Sequence, residues 1–167
     1  MTCYEILSLI IGAVGAIATF SAVIVALWQT KFANMKKLKL SFSSGIATLI
    51  GDESYIFIGL SIANIGNRDI TIKNWGFNLN NGEKLLVVQL LDFPINQMQP
   101  ELPHKLHQEE QIMLYFPKDK FISLVKSNVD GGKLKKTKKI RVWAVDSTGK
   151  EYNTLTPEKV IDYYNWH

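Results

Sequence analysis

The sequence predicts a mainly β protein, with an N-terminal transmembrane helix followed by an antiparallel β-sandwich that carries one or two short helices. Three observations predict it. Residues 6–28 form an uncharged apolar run, several short segments alternate apolar and polar residues, and turn signals separate those segments. A small eight-stranded β-barrel is the alternative arrangement of the same strands. We assign residues 1–35 to the anchor with its juxtamembrane link and residues 36–167 to the β domain.

The apolar run at residues 6–28 is long enough to cross a lipid bilayer. A helix of this length spans roughly 35 Å, against a hydrocarbon core of about 30 Å. A buried helix of a soluble protein normally has a polar face, which this run lacks. A cleaved signal peptide is the stronger alternative, but it normally has a basic N-terminal region and a shorter apolar run. We therefore predict a retained single span.

Positive charge on one flank predicts the orientation of the span. Trp28 ends the apolar run, at the position of an interfacial aromatic residue. Lysines then follow on the C-terminal side: Lys31, Lys36, Lys37 and Lys39. Because positively charged flanks stay in the cytoplasm, we expect the N-terminus outside and the β domain in the cytoplasm.

One face of the predicted span is small or polar. Steps of three or four residues place its members on a single helical stripe, here called the small-residue stripe: Ser8, Gly12, Gly15, Thr19, Ala22 and Ala26. Helices associate in lipid through such residues, so the stripe predicts packing against a second copy or a partner helix. The alternative is that glycine and alanine are simply common in membrane helices.

Seven or so strands are predicted after the span. We place them at residues 37–43, 54–64, 70–79, 84–91, 111–116, 139–145 and 150–154, with residues 45–50 as a continuation of the first strand or a short separate one. Turns are expected at residues 51–53, 66–69, 80–83 and 146–149. The apolar phase slips after Asn74, which predicts a β-bulge at Lys73–Asn74.

The remaining segments are predicted as loops and short helices. Residues 92–107 contain three prolines and suggest a crossover loop between sheets. Residues 119–128 suggest a short helix, and residues 129–139 form a loop rich in glycine and lysine. A second helix is expected from Thr156, as N-cap, and Pro157 to about Tyr164.

Two segments resemble a known class of domain. YIFIGLSIANIGNRDITIKNWGF is similar to the paired strands of small bacterial immunoglobulin-like domains, with an Asn-x-Gly-Asn corner between them, and LHQEEQIMLYF resembles their later strand. That strand usually follows a Pro-Gly-Glu turn, where this chain has Gln108-Glu109. The whole arrangement resembles uncharacterised single-pass membrane proteins of Gram-positive bacteria and their phages. The resemblance implies an Ig-like sandwich and carries no activity with it.

No motif in the sequence predicts catalysis or a cofactor. A phosphate loop, a Gly-x-Ser-x-Gly elbow and a His-Glu-x-x-His pair are all missing from it. The nearest approach to a metal cluster is His104, His107, Glu109 and Glu110, which lie in an irregular loop, so solvated side chains are the default interpretation. Cys3 is the one cysteine, which excludes an internal disulfide. We predict no enzyme, no cofactor and no metal site.

The net charge of +4 comes mostly from local lysine clusters. A solvated loop is one interpretation, and a membrane-surface basic patch is the other. The predicted patch contains Lys36, Lys37, Lys39, Lys133, Lys135, Lys136, Lys138 and Lys139. Nucleic acid is disfavoured as a partner, because the basic residues lack the interleaved aromatic residues that stack bases.

The sequence therefore favours a membrane-tethered interaction or adaptor module that presents a β-sandwich at the cytoplasmic membrane face. Membrane lipid and either a protein partner or a second copy, bound through the span, are the expected contacts. The alternative is an oligomerising membrane effector of the phage-conflict type, whose β domain senses a ligand. An enzyme or a nucleotide-binding domain is the third possibility.

Overall fold

The computed structural model describes residues 3–48, 54–79, 82–87 and 99–166. The chain forms two compact units, Met1–Met35 and Lys36–His167. The elements, in chain order, are α1 (Cys3–Ala33), β1 (Leu38–Thr48), β2 (Ser54–Asn64), β3 (Ile70–Asn78), β4 (Lys84–Leu86), β5 (His104–Leu106), β6 (Gln111–Pro117), α2 (Lys118–Asp130), β7 (Lys139–Asp146), β8 (Glu151–Lys159) and α3 (Val160–Tyr164).

Helix α1 is long and apolar enough to span a membrane, and none of its residues is buried within the chain. At 31 residues it extends about 46 Å. Two of its hydroxyl groups are bonded within the helix: Thr19 donates to the carbonyl of Gly15, and Ser21 donates to that of Ile17, each at 2.9 Å. Such bonds spare these hydroxyl groups an unpaired position in hydrocarbon, which suits a lipid environment.

The second unit is built from two antiparallel sheets. The first has the strand order β1-β2-β6. The second has the order β4-β3-β7-β8, and β5 pairs with the other end of β3 from β4. The described strands form no closed barrel, so the predicted fold class is confirmed: mainly β, with antiparallel sheets, a long apolar N-terminal helix and short helices.

The core lies between the sheets and is centred on Phe77 of β3. Its ring centroid lies 6.3 Å from that of Phe42 on β1 and 6.0 Å from that of Phe116 on β6, so one side chain of the second sheet contacts both edge strands of the first. Phe121 of α2 lies 5.3 Å from Phe77 and covers one end of the core. Tyr163 of α3 packs on Phe121 at 5.2 Å. Aromatic contacts of this kind add to the stability that burial already gives.

Several predicted elements are confirmed residue by residue. The strand predicted at residues 54–64 is β2, and the register of β3 against β7 shifts between Ile72 and Asn74, which is the predicted bulge. The continuation of the first strand is also correct, since β1 is continuous to Thr48. The helix predicted at residues 119–128 is α2, which begins one residue earlier and ends two residues later. The turn at residues 51–53, the Asn80-Asn81 half of the hairpin turn and the segment at 88–98 lie outside the described residues.

The predicted helix start at Thr156-Pro157 is wrong. Both residues belong to β8, and α3 begins only at Val160. The pairing of β7 with β8 shifts here, from Arg141↔Leu155 to Lys139↔Lys159. The Thr156 hydroxyl fills the gap by accepting a 3.1 Å hydrogen bond from the Ile140 amide. A bulge also tolerates Pro157, which has no amide hydrogen to donate.

Strand β5 was missed in the sequence. Its three residues lie inside the segment predicted as an irregular crossover loop. They pair with the first three residues of β3, and Leu106 is fully buried. A strand this short has no detectable periodicity of its own.

Candidate binding surface

The eight lysines of the predicted membrane-surface patch fall into two groups. Lys36 lies near the C-terminal end of β7, with its Nζ 4.0 Å from Oδ2 of Asp146. Lys139 begins the same strand. Seven steps along a strand cover about 23 Å, so the two groups occupy opposite ends of β7. Lys37 and Lys39 are exposed and follow Lys36 in the chain. We therefore count them with Lys36, in a group separate from Lys133–Lys139.

Within the second group, two lysines are already engaged. Lys133 donates to Oε2 of Glu83 at 2.9 Å, and Lys136 lies over the ring of Tyr164 at 4.2 Å from the centroid. Lys135 is exposed at the surface. Lys138 and Lys139 instead line a depression of about 540 Å³ on the outer face of the second sheet.

We call this feature the basic depression. Its lining is Asn78, Leu79, Lys138, Lys139, Arg141 and Leu155, together with Gly82 of the β3–β4 turn. The register explains the assembly: Asn78 pairs with Arg141, which pairs with Leu155, so three neighbouring strands bring one row to the same face. Lys139 is two residues from Arg141 and therefore shares that face.

Arg141 was not singled out in the sequence, although a signal was present. Along β7, Ile140, Val142 and Ala144 are buried, while Lys139 and Arg141 are exposed. Alternation therefore predicts that Arg141 shares a face with the lysine that begins the strand. The presence of Asn78 and Leu79 from the β3 segment could not be predicted from neighbouring residues, because it depends on the register between strands that are distant in sequence.

A second cluster of charged groups surrounds the β7–β8 turn. Oδ1 of Asp146 accepts hydrogen bonds from the Thr148 amide at 2.8 Å and the Lys150 amide at 3.0 Å, and the side chain of Asp146 is fully buried. Burial acts to raise the pKa of Asp146, but the hydrogen bond from the Thr148 hydroxyl at 2.5 Å, then the two amide hydrogen bonds and the Lys36 ammonium, outweigh it, so the pKa lies below its ordinary value. The arrangement fixes a tight turn, which is a structural role.

The phenol of Tyr152 lies against this carboxylate. Its hydroxyl is 3.4 Å from Oδ2 of Asp146. Burial, and then the negative charge of Asp146, raise the pKa of Tyr152 to about 12. The phenol therefore stays protonated at neutral pH.

The histidines of the β5 region lie beside carboxylate groups. Nδ1 of His107 and Nζ of Lys105 both approach Oδ2 of Asp69, at 3.2 and 2.9 Å, and the Lys105 hydrogen bond leads in lowering the pKa of Asp69. The pKa of Glu110 is lowered chiefly by a hydrogen bond from the His107 amide, and Glu110 lies 3.6 Å from Nε2 of His104. Among the described residues, no three His, Cys, Asp or Glu side chains group together as metal ligands.

The small-residue stripe lies entirely on exposed residues of α1. A Cβ atom added at Gly12 or Gly15 would meet nothing within 4 Å. The contacts within the chain therefore do not require glycine at either position. The Thr19 hydroxyl is bonded within its own helix and needs no partner.

No protein-family model and no curated protein matches the chain. Among solved structures, the chain is similar to one titled "X-ray structure of Northeast Structural Genomics Consortium target SoR45". The alignment covers 75% of this chain and 84% of that one, with 10% identity and a TM-score of 0.29. A similarity at this level carries no argument about function.

Proposed function

We propose that the chain is a membrane-tethered interaction module, in which α1 anchors the β-sandwich and the sandwich presents a binding surface at the cytoplasmic face. The observation that carries the proposal is the contrast between the two units. Helix α1 is apolar and wholly exposed, whereas residues 36–167 enclose a core of their own. Tethering raises the effective concentration of a partner held at the same membrane, so a weak contact can suffice.

The proposed orientation rests on the lysines that follow α1, because basic flanks remain in the cytoplasm. Cys3 offers a direct test, since it is exposed and is the single cysteine of the chain. We expect a membrane-impermeant maleimide to label Cys3 in intact cells. A matched variant, Cys3→Ser with Ser147→Cys in the exposed β7–β8 turn, should react only after permeabilisation. The reverse pattern would contradict the proposed orientation.

The proposed partner is a protein or a second copy of the chain, together with membrane lipid. We expect mass determination of the full-length protein, purified in a mild detergent, to give a complex larger than one chain. A defined hetero-complex would support an adaptor role. A homogeneous monomer in several mild detergents would contradict stable partnership. We expect no catalytic activity, because we found no catalytic motif in the sequence.

An oligomerising membrane effector is the second candidate, and one observation favours it. The glycines of the small-residue stripe are not required by contacts within the chain, yet they would allow close approach of another helix. We expect Gly15→Ile to dissociate a homo-oligomer in detergent, while Val14→Ile, on a neighbouring face, leaves it intact. Equal behaviour of the two variants would remove the stripe as the contact surface.

A further inference from the structure

We propose that the basic depression binds a phosphate-bearing ligand, held by Lys138, Lys139 and Arg141. This inference goes beyond the proposed function, because it concerns the outer face of the second sheet and holds whether or not the chain is anchored. It assigns a chemical class of ligand to a surface formed by β3, β7 and β8.

The backbone that carries the cationic residues is held in place by hydrogen bonds. Arg141 lies within the β7 ladder, between Asn78 and Leu155. Lys138 precedes the strand, and its backbone is held on both sides: its amide donates to the carbonyl of Lys135 at 3.0 Å, and its carbonyl accepts from the Val160 amide at 2.8 Å. A site on a fixed backbone loses less conformational entropy when it binds a ligand.

The cationic groups of the depression are not neutralised by neighbouring acids. Within the part of the chain that the structure describes, Lys138, Lys139 and Arg141 form no ion pair, and the lining includes no carboxylate. Glu83, which follows the lining residue Gly82, already pairs with Lys133. Three cations brought together without counter-charge repel one another, and a multivalent anion relieves that repulsion.

Phosphate is the anion that best matches this arrangement. The guanidinium of Arg141 can bond two phosphate oxygens in parallel, and lysine binds phosphate as a point charge. Nearly 540 Å³ of space exceeds what one carboxylate needs, and the size suits a small phosphorylated molecule or headgroup. Leu79 and Leu155 add apolar surface for the remainder of that ligand.

An unsatisfied polar atom points to the same place. Oδ1 of Asn78, a lining residue, is buried and has no hydrogen-bond partner among the described residues. A buried polar atom without a partner is costly, so such atoms are rare unless a ligand or water completes them. Because Oδ1 is covered, the Asn78 amide has to turn in order to meet a ligand, and a turned amide would present Nδ2 to a phosphate oxygen.

The test uses the full chain in nanodiscs of phosphatidylcholine, titrated with inorganic pyrophosphate by calorimetry at constant ionic strength. We expect saturable binding that weakens about tenfold or more in Arg141→Gln and in Lys139→Gln, as the loss of a charge-assisted hydrogen bond predicts. Arg68→Gln and Lys73→Gln are the matched controls, exposed and outside the depression, and should bind as the parent does. Arg141→Lys keeps the positive charge but cannot donate two parallel hydrogen bonds, so it should bind pyrophosphate with intermediate affinity.

Two results would overturn the proposal: no saturable binding of pyrophosphate by the folded parent protein, or equal weakening in Arg68→Gln and Arg141→Gln. Circular dichroism confirms that each variant is folded before it is titrated. A second arm distinguishes the sources of the phosphate group, because glycerol 3-phosphate represents a lipid headgroup. If it binds more tightly than pyrophosphate, the result supports the proposal with a headgroup as ligand. If pyrophosphate binds more tightly, the result supports it with a soluble phosphorylated compound.

Discussion

Asn64 at the end of β2 is expected to be one of the most sensitive positions in the β domain. Its side chain is fully buried, and its Nδ2 donates to three carbonyl oxygens, of Arg68 at 2.8 Å, His107 at 3.1 Å and Leu106 at 3.2 Å. Its Oδ1 accepts from the Gly66 amide at 3.1 Å. One amide thus closes the β2–β3 corner and joins it to the end of β5.

Replacing Asn64 with alanine removes all of these hydrogen bonds. Nδ2 has two hydrogens, so its three contacts correspond to about two full bonds, and Oδ1 adds a third. At about 1 kcal/mol each, with some added cost for the buried groups left unpaired, we expect Asn64→Ala to lower the free energy of unfolding by about 3–4 kcal/mol. Urea unfolding of the full chain in detergent micelles, followed by tryptophan fluorescence, measures this loss, since Trp75 is buried in the same domain.

Asn153→Ala provides the matched control for the Asn64 experiment. Asn153 lies exposed on the outer face of β8, so the same substitution should change the free energy of unfolding by less than about 0.5 kcal/mol. A loss below about 1 kcal/mol for Asn64→Ala, or one no larger than that of the control, would refute the structural role assigned to the corner.

Three further predictions concern the second sheet. A Cβ atom at Gly76 would lie 1.9 Å from the carbonyl oxygen of Leu85, so Gly76→Ala should lower the free energy of urea unfolding by about 2–3 kcal/mol. In the control Gly131→Ala the added Cβ would have its nearest contact at 3.2 Å, so the free energy of unfolding should fall by less. Equal losses in the two variants would contradict the clash at Gly76. Because the folded-state pKa of Asp146 is lowered, its charge stabilises the fold above the unfolded pKa of about 3.9. At pH 7 the free energy of unfolding of the parent should exceed that of Asp146→Asn by about 1–2 kcal/mol, and this difference should vanish as pH falls through the folded pKa. Unfolding curves measured over an acid pH series test this, and a difference that persists unchanged at pH 2 would count against it. Spectrophotometric titration, taken as the difference from Tyr152→Phe, should place the Tyr152 phenol pKa at about 12 and should find it lower in Asp146→Asn; no shift in that variant would exclude the charge of Asp146 as a cause.

The parts of the fold that could be predicted are those with local signals. The strand β2 alternates without interruption, and the bulge in β3 appears as a slip of phase between Ile72 and Trp75. The β7–β8 turn was likewise predicted, from Asp146 to Gly149. Each of these features depends on neighbouring residues, so a single sequence contains the information.

The parts that could not be predicted depend on pairing between distant segments. Thr156-Pro157 resembles a helix start, but the segment belongs to β8. There the Ile140 amide, 16 residues away, donates a hydrogen bond to the threonine hydroxyl. Similarly, Asn64 reaches carbonyl groups more than 40 residues along the chain. Lysine spacing identified part of the basic depression, but Arg141 and Asn78 join it only through the register of β7 and β3. The two lysine groups lie at opposite ends of β7 because Lys36 contacts Asp146, whereas Lys139 begins the strand.

The central claim is that α1 is a retained anchor for the β-sandwich. The most direct measurement is alkaline carbonate extraction of membranes, followed by intact mass determination of the protein in each fraction. We predict a chain of 18.9 kDa in the membrane pellet, and residues 36–167 expressed alone in the supernatant. A shorter, soluble product cut after the apolar run would contradict the account, because it would identify α1 as a cleaved signal peptide.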